Sequence, residues 1–303
     1  MADGLPRVSV GVPVHNGGDT LARALESVTN QSYPNLEIVI SDNASTDDTA
    51  AVCRRAAAGD TRVRYIRQPQ LVPVLDNYRR AFEETHGDLF MWAAHDDLRS
   101  VNYVETLVEA FRADPAISLA ASDFVEFAEF DDAFRRPRCH HDFATVGLGL
   151  AARLRKHTKI GCNHVYGLLN ARYIRAYRWY NDVSWDVAFL AYMAARGPFV
   201  YVPGATFYYR RLPARTVEAR ARETSFGRVR PFQRVHTAWL AARAVSAGNR
   251  SNGRWRPTAA VFPIVLFYIM QGVRGLIAAA TPRGVRAALK RSVPAGTQAT
   301  KHV

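Results

Sequence analysis

Two adjacent carboxylates, Asp96 and Asp97, end an apolar run that begins at Leu89. Such a pair at the end of a buried strand is unfavourable unless a cation or several hydrogen-bond donors compensate the charge. Mg²⁺ and Mn²⁺ take oxygen ligands, and one or two carboxylates hold such an ion when substrate phosphates fill the other positions. The pair therefore indicates a divalent metal ion bound to a diphosphate substrate. Alternatively, one of the two side chains caps the helix predicted from Val101.

The elements that position these residues alternate along the chain. The strands predicted from β-branched and apolar runs are 7–14, 36–42, 63–68, 88–94 and 117–130. The helices predicted from the spacing of their apolar residues are 19–31, 49–58, 75–87 and 101–115. Strands separated by amphipathic helices predict a doubly wound α/β sheet with parallel strands. The ligand crevice of such a sheet lies beyond the carboxyl ends of its strands.

Polar residues follow three of these strands. His15 and Asn16 follow the first strand, and Asp42 ends the second. Asp96 and Asp97 follow the fourth. Because the carboxyl ends of parallel strands meet at one edge, we expect these side chains to share a site. The sequence has no GxGxxG and no GxxxxGK[ST], so a dinucleotide fingerprint and a P-loop are not supported.

The cysteines and the remaining histidines predict no second site. The cysteines at 53, 139 and 162 are far apart and form no CxxC pair, which is typical of a reduced chain with small buried thiols. The histidines of the middle third are His140, His141, His157 and His164. Their spacing matches no metal-ligand pattern, so we expect them to be solvated or hydrogen-bonded.

Residues 8–49 resemble the opening of the family 2 glycosyltransferases. That pattern is a strand ending in Pro-x-Tyr-Asn, a helix with Leu and Ser, Gln-x-Tyr-x-x-x-Glu, a second strand, and Asp-x-x-Ser-x-Asp. The matching residues are Pro13, Asn16, Leu25, Ser27, Gln31, Tyr33, Glu37, Asp42, Ser45 and Asp47. The resemblance continues through Asn77, Gly87 and the aspartate pair to about Leu119, and it resumes over 185–211.

The resemblance implies a GT-A fold, which is a Rossmann-like, mostly parallel sheet flanked by helices. It divides a catalytic domain, 1–215, into a nucleotide-sugar-binding half at 1–120 and an acceptor-binding half at 121–215. It also implies an activity, the transfer of a hexosyl group from a nucleoside-diphosphate sugar to an acceptor hydroxyl with inversion. The alternative is a non-catalytic nucleotide-sugar-binding subunit of a glycan assembly complex.

The same resemblance implies roles for the polar edge. Asp97 would ligate Mg²⁺ or Mn²⁺, Asp96 would accept a ribose hydroxyl, and Asp42 would accept an N–H of the base. The remaining nucleotide-sugar contacts implied are Pro13, Val14, His15, Asn16 and Asn77. Hydrogen-bond donors and cations around an aspartate are expected to lower its pKa and keep it ionised.

An inverting transfer also requires a general base beside the acceptor hydroxyl. In the family this base is an acid about 11 residues before a glycine. Asp186 lies 11 residues before Gly197 and is the predicted base, with Asp182 as second choice. Asp186 is also suited to cap the following helix, and both roles are compatible because a helix N-terminus favours an ionised carboxylate.

Three positions depart from the family pattern. His15 stands in place of a tyrosine, and His95 stands where the first acid of the metal motif is usual. The histidine that commonly follows Tyr-Arg is absent, since the chain continues Arg210-Arg211. We expect one of these two arginines to act on the diphosphate as a point charge instead.

The basic excess lies at the C-terminal end. The chain has a net charge of +13, yet residues 216–303 hold only two acids, Glu218 and Glu223. This region is predicted to be helical. It either binds anionic lipid or packs on the catalytic domain. Its apolar run, 259–270, is too short to span a bilayer. No nucleic-acid-binding module is recognised. Because no signal-peptide pattern is present, we expect a cytoplasmic protein. If the basic region binds anionic lipid, the protein is peripheral on the inner face of the plasma membrane.

Overall fold

The computed structural model describes residues 4–128, 136–138, 143–157, 161–179 and 185–211. The strands of this part are β1 (Val8–Val14), β2 (Leu36–Asp42), β3 (Val63–Arg67), β4 (Leu89–Trp92), β5 (Leu98–Arg99), β6 (Leu119–Phe127), β7 (Arg136–Arg138), β8 (Leu168–Asn170) and β9 (Phe199–Arg210). Its α-helices are α1 (Gly18–Thr29), α2 (Thr49–Gly59), α3 (Val74–Glu83), α4 (Tyr103–Ala113), α5 (Leu150–His157), α6 (Ala171–Arg175) and α7 (Trp185–Arg196). A 3₁₀ helix spans Cys162–Tyr166.

These strands form one sheet in the order β3-β2-β1-β4-β8-β6-β9-β5, with β7 beside β6. β1 pairs in parallel with both β2 and β4, and β2 pairs in parallel with β3. β8 runs antiparallel to β4 and β6, while β6 and β9 are parallel. The predicted α/β class is confirmed. The short strands β5, β7 and β8 add antiparallel pairs, which alternation of strands and helices does not predict.

The sheet is covered on both faces. Every residue of β1 and of β2 is buried. In β4, Phe90 and Trp92 face a core shared with α3, α5, α6 and α7, whereas Leu89 and Met91 face a core shared with α1, α2 and α4. Burial on both faces explains why these strands are continuous apolar runs in the sequence. The edge that carries the polar residues is therefore held by a packed frame.

Two residues of the family pattern belong to this frame. The Gln31 side chain donates to the Ser100 carbonyl at 2.8 Å and accepts the Val104 N–H at 2.9 Å, which ties the end of α1 to α4. A Cβ on Gly197 would overlap the backbone carbonyl oxygen of Ala116. The glycine after α7 is thus required by the close approach of two backbones.

The aspartate pair does not cap α4. That helix has Asn102 at its N-cap position, and no side chain caps it. Asp96 and Asp97 lie instead in the loop between β4 and β5. The capping alternative is therefore wrong, and the two buried carboxylates need a different explanation.

The structure also tests the predictions made for the cysteines and the histidines. Cys53 is a buried free thiol, as predicted. His164 Nδ1 lies 2.8 Å from the Gly161 carbonyl oxygen, so this histidine is hydrogen-bonded. His157 is only 2% exposed, which contradicts a solvated side chain. Burial lowers the pKa of His157 to about 4, so the ring is neutral.

Several predictions fall on residues outside the described ranges. These are His140, His141, Asp182 and the basic region 216–303. Among the described residues, no helix is long and apolar enough to cross a membrane.

Candidate active site

β1 and β2 end side by side at the predicted edge. Val14 pairs with Asp42 in the parallel register, and the N–H of Asn43 donates to the Val14 carbonyl at 2.8 Å. His15 Nδ1 lies 2.9 Å from the Asn43 carbonyl oxygen. Because a carbonyl only accepts, Nδ1 carries the proton and Nε2 is an acceptor, here 3.4 Å from Nδ2 of Asn16. The turn after β2 thus orients the half-buried imidazole.

Asp42 is fully buried and accepts three hydrogen bonds. Its Oδ1 accepts the N–H of Ser45 at 2.9 Å. Its Oδ2 accepts the Tyr65 hydroxyl at 2.8 Å and Nη1 of Arg67 at 3.2 Å. These bonds fix the turn that follows β2. The Arg67 side chain, which is 41% exposed, is the donor nearest to solvent.

The turn after β1 is tied to the turn after β2 and touches the loop of the aspartate pair. Asn16 donates its N–H to Ser45 Oγ at 3.0 Å, and its Oδ1 accepts the Thr46 N–H at 2.8 Å. Its φ of 50° lies in the left-handed region, which asparagine tolerates better than most residues. A Cβ on Gly17 would meet the ring of His95. The two loops are therefore in contact.

Three of the predicted nucleotide-sugar contacts are buried in the frame. Nδ2 of Asn77 donates to the Ser41 carbonyl at 2.9 Å, and its Oδ1 accepts the Ser41 hydroxyl at 2.7 Å. Pro13 and Val14 are buried residues of β1. Asn77 also lies 3.5 Å from the Val14 carbonyl oxygen, so it joins α3 to the first two strands. Contact of these three residues with a ligand stays a prediction.

Asp97 is only 2% exposed. Its Oδ1 accepts the N–H of Arg210 at 2.8 Å, while its buried Oδ2 has no hydrogen-bond partner among the described residues. Burial and the charge of Asp96 raise the pKa of Asp97 to about 8, although Arg99 and Arg210 oppose the shift. This differs from the lowered pKa expected from the sequence, because desolvation outweighs the donors and cations nearby. A cation would satisfy this oxygen.

Arg99 is a residue of this site that the sequence argument missed. Its guanidinium is almost fully buried, lies 5.0 Å from the ring centre of Phe207, and donates to the Trp92 carbonyl at 2.7 Å. Its Nε and Nη1 have no hydrogen-bond partner in the described part of the chain. Burial lowers the pKa of Arg99, and the charge of Asp97 opposes that effect. The available signal was a basic residue two positions after the acidic pair that ends an apolar run.

The arginines at the end of β9 and directly after it contact neighbouring segments of the protein. Arg210 reaches Asp97 through its backbone N–H, and its Nε donates to the Ala128 carbonyl at 3.2 Å. Arg211 forms a 3.2 Å ion pair with Glu126 and is 65% exposed. A role of either side chain on a phosphate stays a prediction.

Asp186 lies in the first turn of α7, where the helix dipole favours a carboxylate. Its Oδ1 accepts the N–H of Val187 at 2.8 Å. The preceding residue, Trp185, packs its ring 5.4 Å from that of Tyr78 and 5.8 Å from that of Trp92. Because Trp92 ends β4, this aromatic cluster joins the start of α7 to the strand before the aspartate pair.

The charges of three predicted acids act on the hydroxyl of Tyr78. Burial raises the pKa of its hydroxyl, and the charges of Asp96, Asp97 and Asp186 raise it further. The acids predicted to bind the metal and the acid predicted to be the general base therefore all affect the pKa of this one hydroxyl. In the part of the chain that the structure describes, no group of three or more His, Cys, Asp or Glu is arranged to hold a metal. A metal here would need ligands from a substrate.

Known proteins share this sequence pattern and this fold. The sequence profile described as Glycosyl transferase family 2 matches residues 9–176. Glycosyltransferase GlyG of Streptococcus pneumoniae is 27% identical over 143 residues, which cover 47% of this chain and 47% of that protein. The GalNAc(5)-diNAcBac-PP-undecaprenol beta-1,3-glucosyltransferase of Campylobacter jejuni is 29% identical over 106 residues, covering 35% of this chain and 34% of its own. The chain thus spans less than half the length of these relatives.

Solved structures resemble the fold over most of the chain. TarS 1-349 of S. aureus in complex with UDP has a TM-score of 0.59 at 12% identity, covering 87% of this chain and 70% of that one. Mannosyltransferase PcManGT from Pyrobaculum calidifontis, in complex with GDP-Man and Mn²⁺, has a TM-score of 0.55 at 18% identity, covering 94% and 79%. At these identities the likeness concerns the fold.

Proposed function

Because the chain belongs to glycosyl transferase family 2, whose profile matches more than half of its length, we propose that it transfers a hexosyl group from a nucleoside-diphosphate sugar to an acceptor hydroxyl with inversion. The predicted GT-A fold is confirmed. The proposal is carried by Oδ2 of Asp97, a buried carboxylate oxygen with no hydrogen-bond partner among the described residues. It lies beyond the carboxyl ends of parallel strands, where folds of this class bind ligands.

A divalent ion, Mg²⁺ or Mn²⁺, fits the residues present. Asp97 would ligate it through Oδ2, and Asp96 supplies a second negative charge that raises the pKa of Asp97 until a cation compensates it. Diphosphate oxygens and water would complete the coordination, since two carboxylates suffice for such an ion. When bound, the ion neutralises the charge that develops on the leaving diphosphate. PcManGT, which has a similar fold, forms a complex with GDP-Man and Mn²⁺.

The nucleoside is assigned to the turns after β1 and β2. The imidazole of His15 would stack on the base, as histidine does in other nucleotide sites. Asp42 would accept an N–H of the base in place of Arg67, whose 3.2 Å bond is the longest of the three it now accepts. Asp96 would accept a ribose hydroxyl, and the exposed amide of Asn16 borders the same turn. TarS binds UDP and UDP-GlcNAc, which makes uridine donors the first to test.

Asp186 is the proposed general base. Its carboxylate takes the proton of the acceptor hydroxyl while the acceptor oxygen attacks the anomeric carbon and the bond to the diphosphate breaks. The negative charge then leaves with the nucleoside diphosphate. The neighbouring Trp185 packs on Trp92, which fixes the start of the helix that carries this carboxylate.

The basic region 216–303 is proposed to hold the protein on anionic lipid. It contains 15 Lys and Arg against two Glu, and each basic residue near such a surface contributes about 1 kcal/mol. The name of the Campylobacter relative includes an undecaprenol-linked acceptor, so a lipid-linked glycan is the first acceptor class to test. Co-sedimentation with anionic vesicles that is lost at high salt supports the proposal. Equal sedimentation with neutral vesicles contradicts it.

The activity is tested by incubating the protein with Mn²⁺ and a panel of uridine, guanosine and thymidine diphosphate sugars, and by measuring the free nucleoside diphosphate. Release from one donor supports the transferase. A thermal shift with one donor, without release in the presence of lipid-linked and soluble acceptors, supports the non-catalytic binding subunit. Neither a shift nor release contradicts both.

A further inference from the structure

Two tyrosine hydroxyls meet beside the aromatic cluster of Trp92 and Trp185. Tyr78 lies on α3 and Tyr166 ends the 3₁₀ helix, and their hydroxyl oxygens are 2.9 Å apart. Both side chains are half-buried. The ring of Tyr78 packs against Trp92 and Trp185, and the ring of Tyr166 lies 5.8 Å from that of Phe207. Packing on both sides fixes the position of the two hydroxyls.

A count of protons shows that this pair can still donate a hydrogen bond. Two hydroxyls carry two protons, and the bond between Tyr78 and Tyr166 uses one of them. Among the described residues, neither oxygen has another hydrogen-bond partner. Burial raises the pKa of both groups, so both stay protonated and neither is an anion. The second proton is therefore available to a ligand or to water.

Packing places this pair between the two halves of the proposed reaction. Tyr78 packs on Trp185, the residue before Asp186, and Tyr166 packs on Phe207, which also contacts Arg99 next to the aspartate pair. The charges of Asp96 and Asp97 act on both hydroxyls as well. The aspartate pair is the diphosphate side, and Asp186 is the acceptor side. In a direct transfer the sugar is the group that lies between the leaving diphosphate and the attacking hydroxyl.

We propose that the Tyr78–Tyr166 hydroxyl pair binds the transferred sugar and helps to select it, by donating its second proton to a sugar hydroxyl oxygen. This inference rests on the proposed function, because it requires a nucleoside-diphosphate sugar in the site. An amphipathic tyrosine suits a sugar, which offers both apolar ring faces and hydroxyls. The pair positions and recognises the donor and transfers no proton in the reaction.

The test compares Tyr78→Phe and Tyr166→Phe with the wild-type protein in the presence of Mn²⁺. Each variant keeps its ring and loses only the hydroxyl. Calorimetry measures the Kd of the nucleotide sugar selected by the donor panel and the Kd of the matching nucleoside diphosphate. We expect the Kd of the nucleotide sugar to rise roughly five- to tenfold, the loss of one hydrogen bond, in the variant that removes the hydroxyl facing the sugar, with the Kd of the diphosphate unchanged in both variants. The matched control is Tyr192→Phe, which removes a buried hydroxyl that donates to the Tyr173 carbonyl and should alter neither Kd.

Other outcomes overturn the inference. An equal rise in both Kd values means that the pair holds the aspartates and does not touch the sugar. Unchanged Kd values in both variants mean that the hydroxyl pair serves packing alone. If one variant does not fold, the wild-type protein is titrated with singly deoxygenated analogues of the donor sugar: the Kd of one analogue should rise to the same extent, and an unchanged Kd for every analogue overturns the inference. A wild-type protein that binds no nucleotide sugar overturns the proposed function as well, whereas unchanged variants of a binding wild type overturn this inference only.

Discussion

Replacing Asp97 by Asn removes a carboxylate that the metal-free protein buries unfavourably. In the folded chain its pKa is raised from 3.8 to about 8. A folded-state pKa above the unfolded value contributes stability that is fully present below about pH 4 and is lost as the pH rises through about 8. We therefore expect metal-free Asp97→Asn to be more stable than the wild type at neutral pH.

The size of the effect follows from the same shift. One pKa unit corresponds to about 1.4 kcal/mol, so ionisation of Asp97 in the unfolded chain lowers the stability of the wild type by up to about 4 kcal/mol at pH 7. The Asn side chain still accepts the N–H of Arg210, but its amide nitrogen occupies the place of the oxygen that lacks a donor, which costs about 1–3 kcal/mol. A net gain of about 1–3 kcal/mol remains, and it should increase with pH between about 4 and 8.

Equilibrium urea unfolding with EDTA, followed by tryptophan fluorescence at pH 5, 6, 7 and 8, measures this difference. The control is Asp60→Asn, because the hydrogen bond and ion pair with Arg62 lower the pKa of Asp60, so its loss should destabilise the protein slightly. Adding Mn²⁺ should stabilise the wild type and not the Asp97 variant. If Asp97→Asn is less stable than the wild type at pH 7 to 8, or if the difference does not change with pH, the reasoning is refuted.

Three further predictions concern residues around the site. Removing the guanidinium charge in Arg99→Met should raise the pKa of Asp97 further, by about one unit, which carbon-13 NMR titration of the aspartates measures. His157 has a pKa of about 4 in the folded chain and 6.5 in the unfolded chain, so it destabilises the wild type as the pH drops below 6.5. Between pH 7 and pH 5 the free energy of unfolding, measured in urea, should therefore fall by about 2 kcal/mol less in His157→Phe than in the wild type. Gly197→Ala should lower the free energy of unfolding by about 3 kcal/mol or more, since its Cβ overlaps the Ala116 carbonyl.

The part of the site at the carboxyl ends of β1, β2 and β4 follows from local patterns in the sequence. β1 and β2 are continuous apolar runs, so their parallel pairing and the residues at their carboxyl ends are predictable from composition. This pairing is expected to place Asp42 beside Val14, and the observed register confirms it. The aspartate pair follows β4, which pairs with β1 at the same edge.

The surroundings of Asp97 and Arg99 depend on contacts between distant segments, which no local pattern encodes. Asp97 is closed off because β5 pairs with β9, which brings the N–H of Arg210 onto its carboxylate. The same pairing buries Arg99 against Phe207. The direction of the pKa shift at Asp97 reverses the sequence-based expectation for this reason, since residue types predict charges and not the depth at which they are buried.

The most direct test of the account compares Asp186→Asn with Asp97→Asn in two measurements on the same preparations: sugar transfer from the selected donor, and Mn²⁺-dependent binding of the nucleoside diphosphate. We expect Asp186→Asn to lower kcat by roughly 100-fold or more while the Kd of the diphosphate stays unchanged. We expect Asp97→Asn to lower transfer and also to weaken the Mn²⁺-dependent binding. Transfer by Asp186→Asn at the wild-type rate, or Mn²⁺-dependent binding that Asp97→Asn leaves intact, would contradict it.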